Sequence, residues 1–274
     1  MARIGMVNYI NTAPIYEIWK ELDCPADWNI VEGHPRVLNK MLAADQIDMG
    51  FVSSYEYAAR PERYQILGDL SISATGPVGS VLLFSSLPPE ELDKEEILLT
   101  GQSDTSVCLV RIILEEFYRV KPRYRVGDAY GAGDQEAPAA AVLAIGDDAL
   151  RLRIEDRYPF QLDLSDLWHQ RTGLPFVFSV CAIRQDFIDA SPGVARAIRE
   201  RFIDCRIQGG RRMAEICDRV ARRIPMDCTM CSEYLNGIEH DLGDGKRRGL
   251  ELFFELLINR KEASPAALPL KIFE

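Results

Sequence analysis

No stretch of this 274-residue chain reaches the roughly eighteen consecutive apolar residues of a membrane-spanning helix. Histidine is scarce: there are three, His34, His169 and His240, all in polar contexts and none beside a matched cysteine or serine motif. A Gly-x-Ser-x-Gly elbow, a Walker loop and a dinucleotide-binding glycine fingerprint are all missing, so triad hydrolysis, nucleotide hydrolysis and nicotinamide chemistry have no signature here. Basic side chains are outnumbered, 32 Lys and Arg against 42 Asp and Glu, for a net charge of −10. General nucleic-acid binding relies on a basic surface that releases counterions, and this balance argues against it. A small anion is not excluded, because helix N-termini and backbone amides bind anions locally whatever the global charge. The seven cysteines are odd in number and lack framework spacing, which suits a reducing cytosol. Met1-Ala2-Arg3 runs straight into a short apolar stretch without a signal-type segment, so the expected location is cytoplasmic. Cys228-x-x-Cys231 is a lone pair with one nearby histidine, whereas structural zinc needs four ligands. No metal is expected, and the two cysteines read as helix-packing residues.

What is present is an ordinary soluble composition, 47% hydrophobic and 27% charged, enough for one large domain or two of moderate size. The first third alternates strand-like and helix-like segments. Residues 4–8 read as a strand, Pro14 opens a helix over 14–22, 28–31 is extended, and Pro35 opens a second helix. Val37, Leu38, Met41 and Leu42 form one apolar stripe on that helix. Residues 49–52 follow as a buried strand, and the alternation predicts a parallel sheet covered on both faces. Further strands are expected at 78–84, 97–100, 124–126, 139–145 and 176–183. A glycine-rich loop is expected at 127–138, and an amphipathic helix after the 103–106 cluster carries Val107, Val110, Leu114 and Phe117 on one face. Beyond Ile183 the pattern is almost wholly helical, with breaks that include Pro225, and residues 262–274 read as an extended strap. No linker composition separates the halves, which predicts two lobes joined by crossing strands at 81–86 and 177–183. The first lobe would take residues 1–84 plus 183–274, the second 85–182.

Polar turns follow the predicted strands at 8–12, at Ser53-Ser54, at Gly79-Ser80, at 103–106 and at Gly146-Asp147. The carboxyl ends of strands are where open α/β sheets collect ligand contacts. Hydroxyls, amides and free N–H groups there suit a carboxylate, which accepts several hydrogen bonds without needing a full positive charge. Any one turn by itself reads first as a helix cap; the recurrence of such turns in two lobes brings the binding-site reading level with it, and both stand.

Three motifs are more specific: Val7-Asn8-Tyr9-Ile10-Asn11-Thr12-Ala13-Pro14, Phe51-Val52-Ser53-Ser54-Tyr55-Glu56-Tyr57-Ala58 and Pro77-Val78-Gly79-Ser80-Val81. With Thr105-Ser106-Val107, Ile145-Gly146-Asp147-Asp148-Ala149-Leu150 and Thr172-Gly173-Leu174-Pro175-Phe176-Val177-Phe178, they resemble the chorismate dehydratase family of the futalosine route to menaquinone. The likeness runs from about residue 3 to 178 and continues more weakly through Tyr234 and Gly249-Leu250-Glu251-Leu252-Phe253.

The resemblance implies an α/β fold of the type 2 periplasmic-binding-protein class, two lobes closing over a dianionic small molecule, and no cofactor. By the same resemblance Asn11 is the catalytic asparagine and Ser80 a substrate-binding serine. Ser53, Ser54, Thr105 and Ser106 would hold carboxylates, with Gly146 and Asp147 as further binding residues. Asn8 and Thr12 read as supports of Asn11. No motif residue is an obvious base, so the substrate's own enolpyruvyl carboxylate is the expected proton acceptor, with Glu56, Asp147 or a tyrosine as conventional alternatives. Relatives carry arginine just before the Thr-Ser pair, where this chain has Asp104, and Arg36 or Arg184 are the candidates to supply charge instead. A sibling of the same fold, 1,4-dihydroxy-6-naphthoate synthase, has its histidine in an Ile-His-Glu motif where this chain reads Ile145-Gly146-Asp147. A solute-binding protein without catalysis is the non-enzymatic alternative.

Overall fold

The computed structural model describes residues 1–127, 139–224 and 226–274. The predicted 127–138 loop therefore lies, apart from Gly127, outside the described residues, as does the break at Pro225. The order is β1 (Ala2–Val7), α1 (Ala13–Trp19), β2 (Trp28–Gly33), α2 (Pro35–Ala43), β3 (Met49–Ser53), α3 (Ser54–Ala59), β4 (Tyr64–Ala74), β5 (Val81–Ser85) and β6 (Glu96–Thr100). There follow α4 (Asp104–Ile112), β7 (Arg123–Gly127), β8 (Ala141–Ile145), α5 (Gly146–Glu155), β9 (Phe160–Asp163), α6 (Leu164–Thr172) and β10 (Phe176–Arg184). The C-terminal part is α7 (Gln185–Ala190), α8 (Pro192–Arg211), α9 (Met213–Val220), α10 (Cys228–Asn236), α11 (Asp244–Asn259) and β11 (Ile272–Phe273).

Two sheets form. One has six strands in the order β11-β4-β10-β3-β1-β2, the other five in the order β7-β6-β8-β5-β9. β1 pairs parallel with β2 and β3, as the alternating pattern of the first third predicts. The sheets are nonetheless mixed, because β10 runs antiparallel to both β3 and β4, and β5 antiparallel to both β8 and β9. A chain that leaves the first sheet and later returns to it inserts its return strand wherever apolar surface on both flanks can be buried. The fully apolar Phe176, Val177, Val180 and Ile183 do so between β3 and β4.

The crossings differ from the expected ones. Val81–Ser85 pairs only within the second sheet, and Phe176–Arg184 only within the first. The passages between sheets are instead the short glycine- and proline-containing segments 75–80 and 173–175. Apolar length marks a strand that is buried, and it carries no information about which sheet buries it. The sheet memberships consequently depart from lobe limits at 84/85 and 182/183.

Local chemistry explains the helix starts. Pro14 and Pro35 sit in the first turns of α1 and α2, where a missing N–H costs nothing. Ser53 caps α3 by accepting from the Glu56 N–H, and Ser103 caps α4 by accepting from the Ser106 N–H. Of the α2 stripe, Leu38 and Leu42 are buried while Val37 is exposed. Ile198, Phe202 and Cys205 of α8, and Leu250, Phe253, Phe254 and Leu257 of α11, are all buried. α8 crosses α1 at Gly209, where an added β-carbon would stand 1.7 Å from the Pro14 carbonyl oxygen. The C-terminal strap ends as β11, which pairs parallel with β4 at the sheet edge. Among the described residues no helix is long and apolar enough to cross a membrane.

Candidate active site

A small cleft lies between the two sheets. Its polar lining comes from Tyr9, Asn11, Ser53, Ser80, Ser103, Ser106 and Ser179, and the Gly146 backbone joins them. Val7, Ile72, Val78, Val81, Ile145 and Phe178 supply the apolar walls. No lysine, arginine, histidine, aspartate or glutamate is among the described residues that line it. The described lining therefore offers neutral hydrogen-bonding groups to a ligand, several of them buried, where a hydrogen bond counts for more than in water.

Asn11 sits in a single 3₁₀ turn, Ile10–Thr12, between β1 and α1. Its carboxamide oxygen is buried and has no protein partner, so the group is uncommitted. Its backbone is held from behind, since His240 Nε2 lies 2.8 Å from the Asn11 carbonyl oxygen. A carbonyl only accepts, so His240 carries its proton on Nε2. Thr12 Oγ1 donates to the carbonyl of Val7 at 2.8 Å, which locks the start of the turn. Asn8 is turned away from the cleft's lining, and its carbonyl accepts from Arg223 at 2.6 Å.

The serines divide by what they can still offer. Ser53 Oγ accepts from Asn39 Nδ2 at 2.7 Å and from the Glu56 N–H at 3.3 Å, which leaves its own proton free for the cleft. Ser80 Oγ accepts from the Tyr234 hydroxyl at 2.8 Å, with the same consequence. Ser103 and Ser106 share a hydrogen bond of 3.1 Å between their hydroxyls. Ser179 spends its proton on the Val52 carbonyl at 2.6 Å and can act only as an acceptor.

Three of the expected binding residues stand behind this lining. Ser54 Oγ donates to the carbonyl of Val177 at 2.7 Å, a bond between α3 and the return strand. Thr105 Oγ1 accepts from the Tyr55 N–H at 3.0 Å, which ties α4 to α3 across the two sheets' helices. Asp147 Oδ1 accepts from the Ile10 N–H at 3.3 Å and so braces the turn that carries Asn11. Burial pushes the Asp147 carboxyl above its ordinary range, against the pull of the Ile10 N–H and of Arg223 and Arg151. Glu56 is not among the described lining residues, and its carboxylate pairs with Arg60 at 2.7 Å and accepts from the Tyr64 hydroxyl at 3.0 Å.

Asp104 does not leave an open negative charge. Arg36 Nε lies 3.4 Å from its Oδ1, and Asn39 Nδ2 lies 3.4 Å from its Oδ2. Arg184 lies outside the cleft, in a cluster with Asp45, Asp48 and Asp186.

Tyr9 lines the cleft, and Asn39, Tyr234 and His240 each contact a residue that does; the sequence motifs did not single them out as site residues. Asn39 had a visible signal, a buried polar residue between Leu38 and Leu42 on an otherwise apolar helix face. Tyr9 is fixed by its hydroxyl, which donates to Gln102 Oε1 across the cleft and receives His34 Nδ1 at 3.2 Å. His240 and Tyr234 lie more than 150 residues from their partners, and no local pattern connects them.

His240 provides a pH test of this arrangement. Burial pushes it from its ordinary 6.5 down to about 4, assisted by Arg206 and Lys246, while the Asn11 carbonyl and Asp241 pull the other way. Between those values the unfolded chain takes up a proton that the folded one refuses, so stability falls as pH drops from 6.5 toward 4. Urea unfolding of wild type and His240→Gln across this window should show a pH slope in the wild type steeper by up to about 1.4 kcal/mol per unit. Parallel slopes would mean that His240 is not held neutral.

The chain matches the family described as Menaquinone biosynthesis over residues 2–259. It is 30% identical over 269 residues to the chorismate dehydratase of Thermus thermophilus, covering 93% of this chain and 94% of that protein. The structure of protein AF1704 from Archaeoglobus fulgidus superposes with a TM-score of 0.73 at 17% identity, covering 94% of this chain and 97% of that one. The Candida albicans CA3427 gene product, described as having the generic periplasmic binding protein fold, gives 0.71 at 13% identity, covering 100% of this chain and 96% of that one. The chain belongs to the menaquinone-biosynthesis family and has the periplasmic-binding-protein fold, with its neutral, hydroxyl-lined cleft between the two sheets.

Proposed function

We propose that the chain is a chorismate dehydratase, a carbon–oxygen lyase that converts chorismate to 3-[(1-carboxyvinyl)oxy]benzoate and water on the futalosine route to menaquinone. The observation that carries this reading is the lining of the cleft, which among the described residues offers hydroxyl donors and an uncommitted asparagine but no lysine, arginine, histidine, aspartate or glutamate. Chorismate needs little more. Its ring C3–H is vinylogous to the ring carboxylate, so loss of that proton gives a delocalised dienolate. Expulsion of hydroxide from C4 then makes the ring aromatic, and the proton from C3 and the hydroxide from C4 account for the one water lost.

Aromatisation supplies the driving force, which leaves the protein to bind, orient and exclude competing rearrangement. The substrate's enolpyruvyl carboxylate is the base in this reading. Asn11 fixes its geometry over C3, while Ser80, Ser53 and the Ser103–Ser106 pair hold substrate oxygens. Ser54, Thr105 and Asp147 serve by supporting the backbone that presents these groups. No cofactor is required by these steps. The seven free cysteines support a cytoplasmic setting.

Incubation with chorismate tests the reading. Aromatic absorbance should grow while the product mass falls by one water. Tight binding of chorismate without turnover would replace the dehydratase by a solute-binding protein.

A further inference from the structure

The C-terminal helices do more than complete the first sheet's cover. Tyr234, on α10, and His240, just beyond it, each donate one hydrogen bond to one of the two residues at the centre of the proposed reaction. The segment between them is itself fixed. Glu239 and Ser73 exchange backbone hydrogen bonds at 2.8 and 2.9 Å, the Ser71 N–H donates to the His240 carbonyl at 3.0 Å, and Ser71 Oγ donates to the Asp241 carbonyl. β4 thus anchors the segment directly, and through it Asn11 and Ser80.

We propose that residues 234–240 form a positioning brace for the site, in which Tyr234 turns the Ser80 hydroxyl toward the substrate and His240 holds the Asn11 backbone in place. The inference rests on the dehydratase reading. Its chemistry is that of hydroxyl direction. Ser80 has one proton and receives one from Tyr234, so its own proton points to the cleft, where a carboxylate needs a donor. Without the tyrosine hydroxyl the serine proton is free to rotate away and to present lone pairs to an anion. His240 acts one step further back. It fixes a carbonyl whose residue carries the uncommitted carboxamide, so a displacement of that turn misplaces the amide over the reacting carbons.

Neither residue lies among those lining the cleft, so both are positioning residues and not catalytic ones. The test is steady-state kinetics with chorismate on wild type, Ser80→Ala, Tyr234→Phe and the double variant, with thermal unfolding of each. Tyr234→Phe keeps the ring and should lower kcat about tenfold with KM changed less than twofold, the effect of misdirecting one hydrogen bond. Added to Ser80→Ala it should cost nothing further, because its target is already gone. Equal costs in both backgrounds, or a Tyr234→Phe enzyme with wild-type kcat, would overturn the role of Tyr234.

For His240 the discriminating pair is Gln and Asn. The glutamine amide nitrogen reaches the Nε2 position and should keep kcat within about threefold, whereas the asparagine amide reaches only as far as Nδ1 and should lose about tenfold. Equal activities in the two variants would overturn the role of His240. A wild-type protein that yields no aromatic product would overturn the dehydratase reading, and this inference with it, which the variant comparisons cannot do.

Discussion

Asn11→Ala is expected to lower kcat for chorismate dehydration by about a hundredfold or more, the loss seen when one oriented donor is removed from a preorganised site. KM should move by less than about threefold, because the other substrate oxygens keep their serine partners. The asymmetry follows from where Asn11 is held. Its backbone carbonyl is fixed by His240 and its turn by Thr12 and Asp147, so truncating the side chain leaves the corner of the fold in place. What is lost is the one carboxamide in the lining whose oxygen has no protein partner. Asn11→Asp should be worse in a different way. It brings a carboxylate into a cleft whose lining has no cation among the described residues and whose substrate is a dianion, so binding and kcat should both fall. An Asn11→Ala enzyme with unchanged kcat would remove Asn11 from the reaction.

Gly146→Ala should damage stability and activity together. Gly146 has φ +56, a conformation that costs an L-residue about 1–2 kcal/mol. An added β-carbon would also meet three atoms of the Tyr9 ring at 3.0 Å. Tyr9 cannot yield freely, since its hydroxyl is shared between Gln102 and His34 across the cleft. The Gly146 N–H also donates to the Ser80 carbonyl at 2.7 Å, so any shift of this backbone reaches the serine. Urea unfolding should show a loss of about 1–3 kcal/mol, and kcat/KM should fall by at least about tenfold, the equivalent of 1.4 kcal/mol in the transition state. Wild-type values for both would show that Tyr9 moves aside without consequence, and that the contact is incidental.

Much of the fold was legible because its signals are local. Prolines at helix starts, serine caps, and apolar runs of strand length require no knowledge of distant partners, and they located β1, α2, β3 and α4 closely. The two crossings were not legible. A buried apolar strand looks alike in either sheet, and Val81–Ser85 was joined to its sheet by pairing with β8 and β9, both more than fifty residues later in sequence. The site shows the same division. Asn11, Ser53, Ser80, Ser106 and Gly146 come together in the cleft, whereas Ser54, Thr105 and Asp147, indistinguishable from them as polar turn residues, face backbone groups behind it. A polar group at a strand end can form hydrogen bonds in either setting, and only its neighbours decide which partner it takes.

Asp104 makes the point through charge. In sequence it replaces a basic residue and threatens to repel an anion. In the structure Arg36 stands beside it, brought from α2 by the approach of the two sheets, so the pair presents no net charge to the cleft.

By itself the sequence determined the family, the element types and the set of polar turns from which the site is drawn. Periodicity, caps and motif order are properties of neighbours along the chain. The tertiary structure alone decided which hydroxyls are free to donate, that no charged side chain among the described residues lines the cleft, and that Tyr234 and His240 reach back to Ser80 and Asn11. Those are properties of hydrogen-bond partners brought together by folding, and a proton's direction is fixed by the group that stands opposite it.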